Sequence, residues 1–108
     1  MTQSEGLRWV IALPSEANPI IEHYKLHLVC DRPFKLYADK ERNQGLVISG
    51  IGRSASAAAT VFIAERMPSN SALVFINVGI AGAAQLELGT VWRAHKVSAR
   101  STGKVWYP

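Results

Sequence analysis

The chain has 108 residues, enough for one domain or part of one. Apolar residues make up 48% and charged residues 19%, which supplies a core and excludes compositional disorder. The net charge of +4 comes from scattered lysines and arginines with no aromatic ladder for stacking bases, so nucleic-acid binding is disfavoured.

In chain order, the first expected element is a strand over Leu7–Leu13, followed by Pro14, a residue at home in the first turn of a helix. Ser15–Lys25 reads as a short helix with Ile20, Ile21 and Tyr24 as its buried side. Leu26–Cys30 is a short strand or a loop, and Asp31-Arg32-Pro33 marks a turn. Phe34–Ala38 alternates apolar and polar residues as a half-exposed strand does, and a charged turn over Asp39–Gln44 leads into a buried strand at Gly45–Ser49. Arg53–Met67 is a helix, with Ala55, Ala58, Ala59, Phe62 and Ile63 at three- and four-residue spacing and Pro68 as its stop. Ala72–Val78 reads as a second buried strand, parallel to the one before the helix through a right-handed crossover. A strand over Thr90–Val97 and the start of another at Lys104–Tyr107 complete the expected elements.

Cys30 stands alone, so no internal disulfide is available and a buried structural thiol is expected. The start of the chain, Met1–Gly6, lacks the basic and apolar stretches of a signal peptide, and no run reaches the roughly 20 apolar residues of a membrane span. A soluble cytoplasmic location follows as the expectation. His23, His27 and His95 share no ligand spacing, and no metal site is expected.

The chemistry gathers at three strand ends. Leu73-Val74-Phe75-Ile76-Asn77-Val78 breaks into Gly79-Ile80-Ala81-Gly82, and Gly45–Ser49 runs into Gly50-Ile51-Gly52. Glycine there lets backbone N–H groups approach a ligand at the carboxyl edge of a parallel sheet. Gly50 to Ala55 fits G-x-G-x-x-A between a strand and a helix, which makes a nucleotide-binding Rossmann-like module one reading. The acidic residue that would hold the ribose is missing, since the next strand ends in Asn77-Val78. The same glycines also serve tight strand-to-helix packing with no ligand at all. Glu16, just past the first strand, falls on the same edge; its carboxylate can take a proton from water or simply favour the helix dipole. Ser54 and Ser56 lie beside a glycine turn, but no G-x-S-x-G nucleophile elbow is present.

Taken in series, Val10-Ile11-Ala12-Leu13-Pro14-Ser15-Glu16, Ser49-Gly50-Ile51-Gly52-Arg53 and Asn77–Gly82 followed by Leu88-Gly89-Thr90 resemble one family. The chain is similar to the N-terminal half of the purine nucleoside phosphorylase/nucleosidase superfamily, most of all its methylthioadenosine/S-adenosylhomocysteine nucleosidase branch. The resemblance implies an α/β fold in three layers, with a mixed, mostly parallel sheet flanked by helices. It implies cleavage of the N-glycosidic bond of a purine nucleoside by water that Glu16 positions and deprotonates. It places Leu13 near the ribose, Ile51 at the 5′ side of the pocket, and the turn Gly79 to Gly82, with Ile80, Ala81 and Gly82, along base and sugar, and it counts Gly52 among the substrate-binding residues.

Hydrolysis is favoured over phosphorolysis, because Asn77 and Ile80 stand where the phosphorylases usually carry an anion-binding arginine and serine. Arg53 leaves phosphorolysis open. Ile80 also departs from the nucleosidases, which often carry serine there. The resemblance implies no cofactor, and as partners a small-molecule nucleoside with either a homodimer mate or a complementing C-terminal segment; no membrane is implied. The family's second half supplies the ribose-binding glutamate and the purine-protonating aspartate. Residues 1–108 are therefore expected to be the N-terminal part of such a domain and inactive alone, with a non-catalytic remnant as the rival reading.

Overall fold

The computed structural model describes residues 6–108, so the reading of the extreme N-terminus lies outside the described residues. The elements follow one another as β1 (Gly6–Ile11), α1 (Pro14–Tyr24), β2 (His27–Cys30), β3 (Lys35–Ala38), β4 (Gln44–Ile48), α2 (Arg53–Arg66), β5 (Leu73–Asn77), β6 (Val97–Ser98) and β7 (Val105–Trp106). The first five strands form one mixed sheet in the order β2-β3-β4-β1-β5. β1 lies between β4 and β5 and is parallel to both, whereas β2-β3 and β3-β4 are antiparallel. β4, α2 and β5 thus make the expected crossover, with β1 slotted between its two strands.

Period-two alternation along the strands divides the core into two clusters. Val10, Leu36, Val47, Ala59, Ile63 and Met67 pack on the α2 side, and Ile11, Ala17, Leu26 and Leu46 on the α1 side. The two helices therefore cover opposite faces, the arrangement that parallel strands need. α1 buries Ala17 fully, while Ile20 and Ile21 are half-buried against their cluster. Tyr24, expected on that buried side, is instead 40% exposed, its ring edge-on to His23 in the last turn. α2 buries Ala59 and Ile63, and Ala58 faces solvent. Small residues bring α2 close to the sheet: a Cβ at Gly45 would sit 2.5 Å from Met67 Sδ and 3.3 Å from Ile63 Cδ1. Gly45→Val is expected to lower stability by roughly 1–3 kcal/mol through overpacking, read as a shift of the urea midpoint.

Arg8 is the unexpected member of the core. It sits in the middle of β1 at 1% exposure, on the end of the sheet away from the glycine turns. Its Nε and Nη2 donate to the Met67 carbonyl at 3.1 and 2.8 Å, and Nη1 donates to the Leu7 and Asn43 carbonyls at 2.9 Å each. Burial pushes the guanidinium below its ordinary pKa, and Asp39 pulls the other way. The side chain ties the C-terminal end of α2 to the strand beneath it.

Two expectations fail toward the C-terminus. β5, read as buried, is partly open, with Phe75 42% and Val78 38% exposed. It is an edge strand, so one side of its ladder has no neighbour. The strand expected over Thr90–Val97 is confined to Val97–Ser98, which forms a small antiparallel hairpin with β7; 90–96 has no regular structure. That stretch finds no strand to pair with among the described residues, and Val91 and Trp92 stay 93% and 69% exposed. Among the described residues no helix is long and apolar enough to cross a membrane. Cys30 is half-buried, its thiol on the Phe34 carbonyl at 3.7 Å.

Candidate active site

Parallel pairing puts the carboxyl ends of β1, β4 and β5 on one rim. The β1–β4 ladder continues past the strands: Ser49 N–H donates to the Ile11 carbonyl at 2.9 Å and Gly50 N–H to the Ala12 carbonyl at 3.0 Å. On the other flank, Asn77 Nδ2 donates to the Val10 carbonyl at 2.8 Å and clamps the end of β5 to β1. The loops after β1 and β4 and the glycine turn after β5 thus leave the sheet side by side.

Leu13 is extended, with φ −120° and ψ 144°, and caps α1, with Pro14 following as its first residue. Its carbonyl accepts the Glu16 and Ala17 N–H groups, each at 3.1 Å. The Glu16 side chain folds back, and Oε1 accepts the Leu13 N–H at 3.2 Å, the carboxylate half of a capping box. Oε2 accepts the Ile80 N–H at 2.7 Å, joining the first turn of α1 to the glycine turn after β5. Gly79 permits that approach, since a Cβ there would stand 3.3 Å from Oε2. Each carboxylate oxygen keeps a lone pair beyond these bonds, so Glu16 is oriented and still able to accept a proton.

A concavity of about 540 Å³ opens beside the carboxylate, and Ile80, Ala81 and Gly82 form part of its wall with Leu86, Leu88 and Trp92. Glu16 touches that wall through the Ile80 N–H, and neither it nor Leu13 lines the concavity. Of the residues singled out in the sequence, Leu13, Glu16 and Ile80 are brought together by hydrogen bonds, and Ile80, Ala81 and Gly82 share the concavity. Ile51 and Gly52 lie on the same rim, in the loop that opens α2, but outside the concavity. Ile51 is 79% exposed, and Gly52 has open space where a Cβ would point, so its φ of +106°, not a close approach, calls for glycine there.

Four residues have roles that the sequence did not show. Asn77, noticed as a missing arginine, acts instead through its clamp on Val10. Leu86, Leu88 and Trp92 carry no motif, and only chain tracing brings them to the wall. Among the described residues no cluster of histidine, cysteine, aspartate and glutamate fits a metal ion.

No family model and no curated protein matches the chain. Among solved structures, the chain is similar to the crystal structure of the Campylobacter jejuni 5′-methylthioadenosine/S-adenosyl homocysteine nucleosidase, at 24% identity over 80% of this chain with a TM-score of 0.55. The chain spans 38% of that nucleosidase's length. The likeness is one of fold: the described sheet and its two helices match part of that structure, as the expected α/β architecture requires.

Proposed function

We propose that the rim is the water-activating side of a site that cleaves the N-glycosidic bond of a purine nucleoside of the methylthioadenosine/S-adenosylhomocysteine type. The observation that carries this reading is the Glu16 carboxylate held at 2.7 Å on the Ile80 N–H, facing the Gly79 bend. Water donates a hydrogen bond to Glu16 and passes it a proton as the water oxygen bonds to the anomeric carbon. The electron pair of the breaking C–N bond leaves with the purine, which takes up a proton. Glu16 needs hydrogen-bond reach to that water, and its two backbone donors fix where the reach begins. The exposed apolar faces of Ile80 and Trp92, 82% and 69% exposed, suit a flat base and its sugar.

In this reading, residues 1–108 form the N-terminal part of a nucleosidase domain. The ribose clamp and the acid that protonates the base belong to a portion of the fold these residues do not span. Purified 108-residue chain mixed with methylthioadenosine is then expected to release no adenine above the uncatalysed rate, followed by chromatography. Release at an enzymatic rate would show that these residues suffice and overturn the division of labour proposed here.

A further inference from the structure

β5 gives up its regular pairing at Asn77, and the turn that follows has few ties to the rest of the fold. Gly6 N–H donates to the Ala72 carbonyl at 3.1 Å, which sets the phase of the β1–β5 ladder. Alternate residues turn their backbone to the partner, so the Val10 carbonyl points at β5, where a regular ladder would bring it the Val78 N–H. The Asn77 side-chain amide sits on that acceptor at 2.8 Å. A short way on, the Ile80 N–H donates to Glu16 Oε2 at 2.7 Å. Among the described residues these two bonds are what tie the turn to β1 and α1.

They close a ring. From the Val10 carbonyl the chain runs to the Leu13 N–H, which donates to Glu16 Oε1 at 3.2 Å. From Oε2 the Ile80 N–H leads back through the Gly79 bend to Asn77, and so to Val10. Glycine leaves that bend free to take many shapes, so it does not fix where the Ile80 N–H stands. The anchor at Asn77 does. A reacting group has to be held to roughly 0.5 Å by partners that are themselves locked.

We infer that Asn77 is a positioning residue for Glu16: its amide, seated on Val10, holds the Ile80 N–H where it aims the carboxylate. The position needs a donor of this length. Aspartate would present a second acceptor to the Val10 carbonyl, and glutamine is a methylene too long. Asn77 acts through the Ile80 N–H and not by touching substrate. Its effect on rate rests on the glycosidic reading; its effect on geometry does not.

The 108-residue chain tests the geometry without turnover. By NMR the Ile80 amide proton, bonded to a carboxylate, is expected to lie downfield and to move upfield in Glu16→Gln. Asn77→Ala and Asn77→Asp are expected to move it the same way. Leu73→Ala weakens the far end of β5, where that side chain packs on Gly6, and is expected to leave the Ile80 amide in place. Should both Asn77 variants fail to fold, the native chain decides: a scalar coupling from the Asn77 amide to the Val10 carbonyl is expected, and a freely exchanging amide overturns the inference. The rate is read with residues 6–108 grafted into the matching portion of the Campylobacter jejuni nucleosidase, following adenine release from methylthioadenosine. Asn77→Ala is expected to lower kcat by about 10²-fold, the cost of ~1 Å of misplacement. In a Glu16→Gln background it is expected to cost nothing further, because it acts through that carboxylate. An equal loss in both backgrounds, or an Ile80 amide that ignores Asn77→Ala, overturns the inference. A parent graft that releases no adenine counts against the glycosidic reading instead, and the amide shift still decides whether Asn77 aims Glu16.

Discussion

Replacing Glu16 by glutamine is expected to cut glycosidic cleavage by about 10²–10⁴, the usual worth of a positioned general base. The measurement needs the whole architecture. We would place residues 6–108 in the matching portion of the Campylobacter jejuni nucleosidase and follow adenine release from methylthioadenosine. Glutamine keeps the shape of the side chain and one acceptor oxygen, so it can retain a single backbone bond, to Leu13 or to Ile80. It cannot take a proton from water. The loss should therefore fall on kcat and leave KM close to its starting value, the signature of an interaction made in the transition state. Glu16→Asp keeps the charge but withdraws it from the Gly79 bend, and should lose activity through misplacement alone. Turnover of the Glu16→Gln chimera within a few-fold of its parent would remove Glu16 from the chemistry and leave it as a capping residue.

Arg8 carries the largest expected effect on stability. Arg8→Met fills much of the same volume with apolar atoms but leaves the buried Met67 carbonyl without its two charged donors, whereas the Asn43 carbonyl keeps the Leu7 N–H. A buried acceptor stranded this way costs about 1–3 kcal/mol. A small domain holds only roughly 5–15 kcal/mol in total, so the urea midpoint should fall steeply. Arg8→Lys separates charge from geometry. A lysine ammonium keeps the charge but lacks the planar fork that reaches Met67 through two nitrogens, so it should rescue only part of the loss. An unchanged midpoint in Arg8→Met would mean that water satisfies that carbonyl.

The fold was legible where pattern and partner agree. The run Trp9–Ile11 and the strand at Gln44–Ile48 are central, flanked by neighbours on both sides, and their apolar composition announces it. The spacing of Ala59 and Ile63 and the stop at Pro68 bound α2 to within a residue of where it ends. The reading failed where a neighbour is absent. Thr90–Val97 reads as a strand, but a strand needs a ladder, and among the described residues no strand lies beside 90–96. Tyr24 falls on the apolar stripe of α1, but it lies at the flank of the core cluster, its ring 6.0 Å from Trp9 and 40% of the residue exposed.

The candidate site divides in the same way. The amino-acid order alone marks Glu16, the glycine turns and the edge on which they fall, because strand-to-turn periodicity is local and glycine has few other uses at such ends. It also settles that the chain builds an α/β core, since hydrophobic spacing is written residue by residue. Only the folded chain decides that the Ile80 N–H reaches Oε2, that Asn77 locks onto Val10, and that a charged Arg8 is buried. Each of these joins residues far apart in number, and a contact of that kind depends on the strand order β4-β1-β5, which no local pattern encodes.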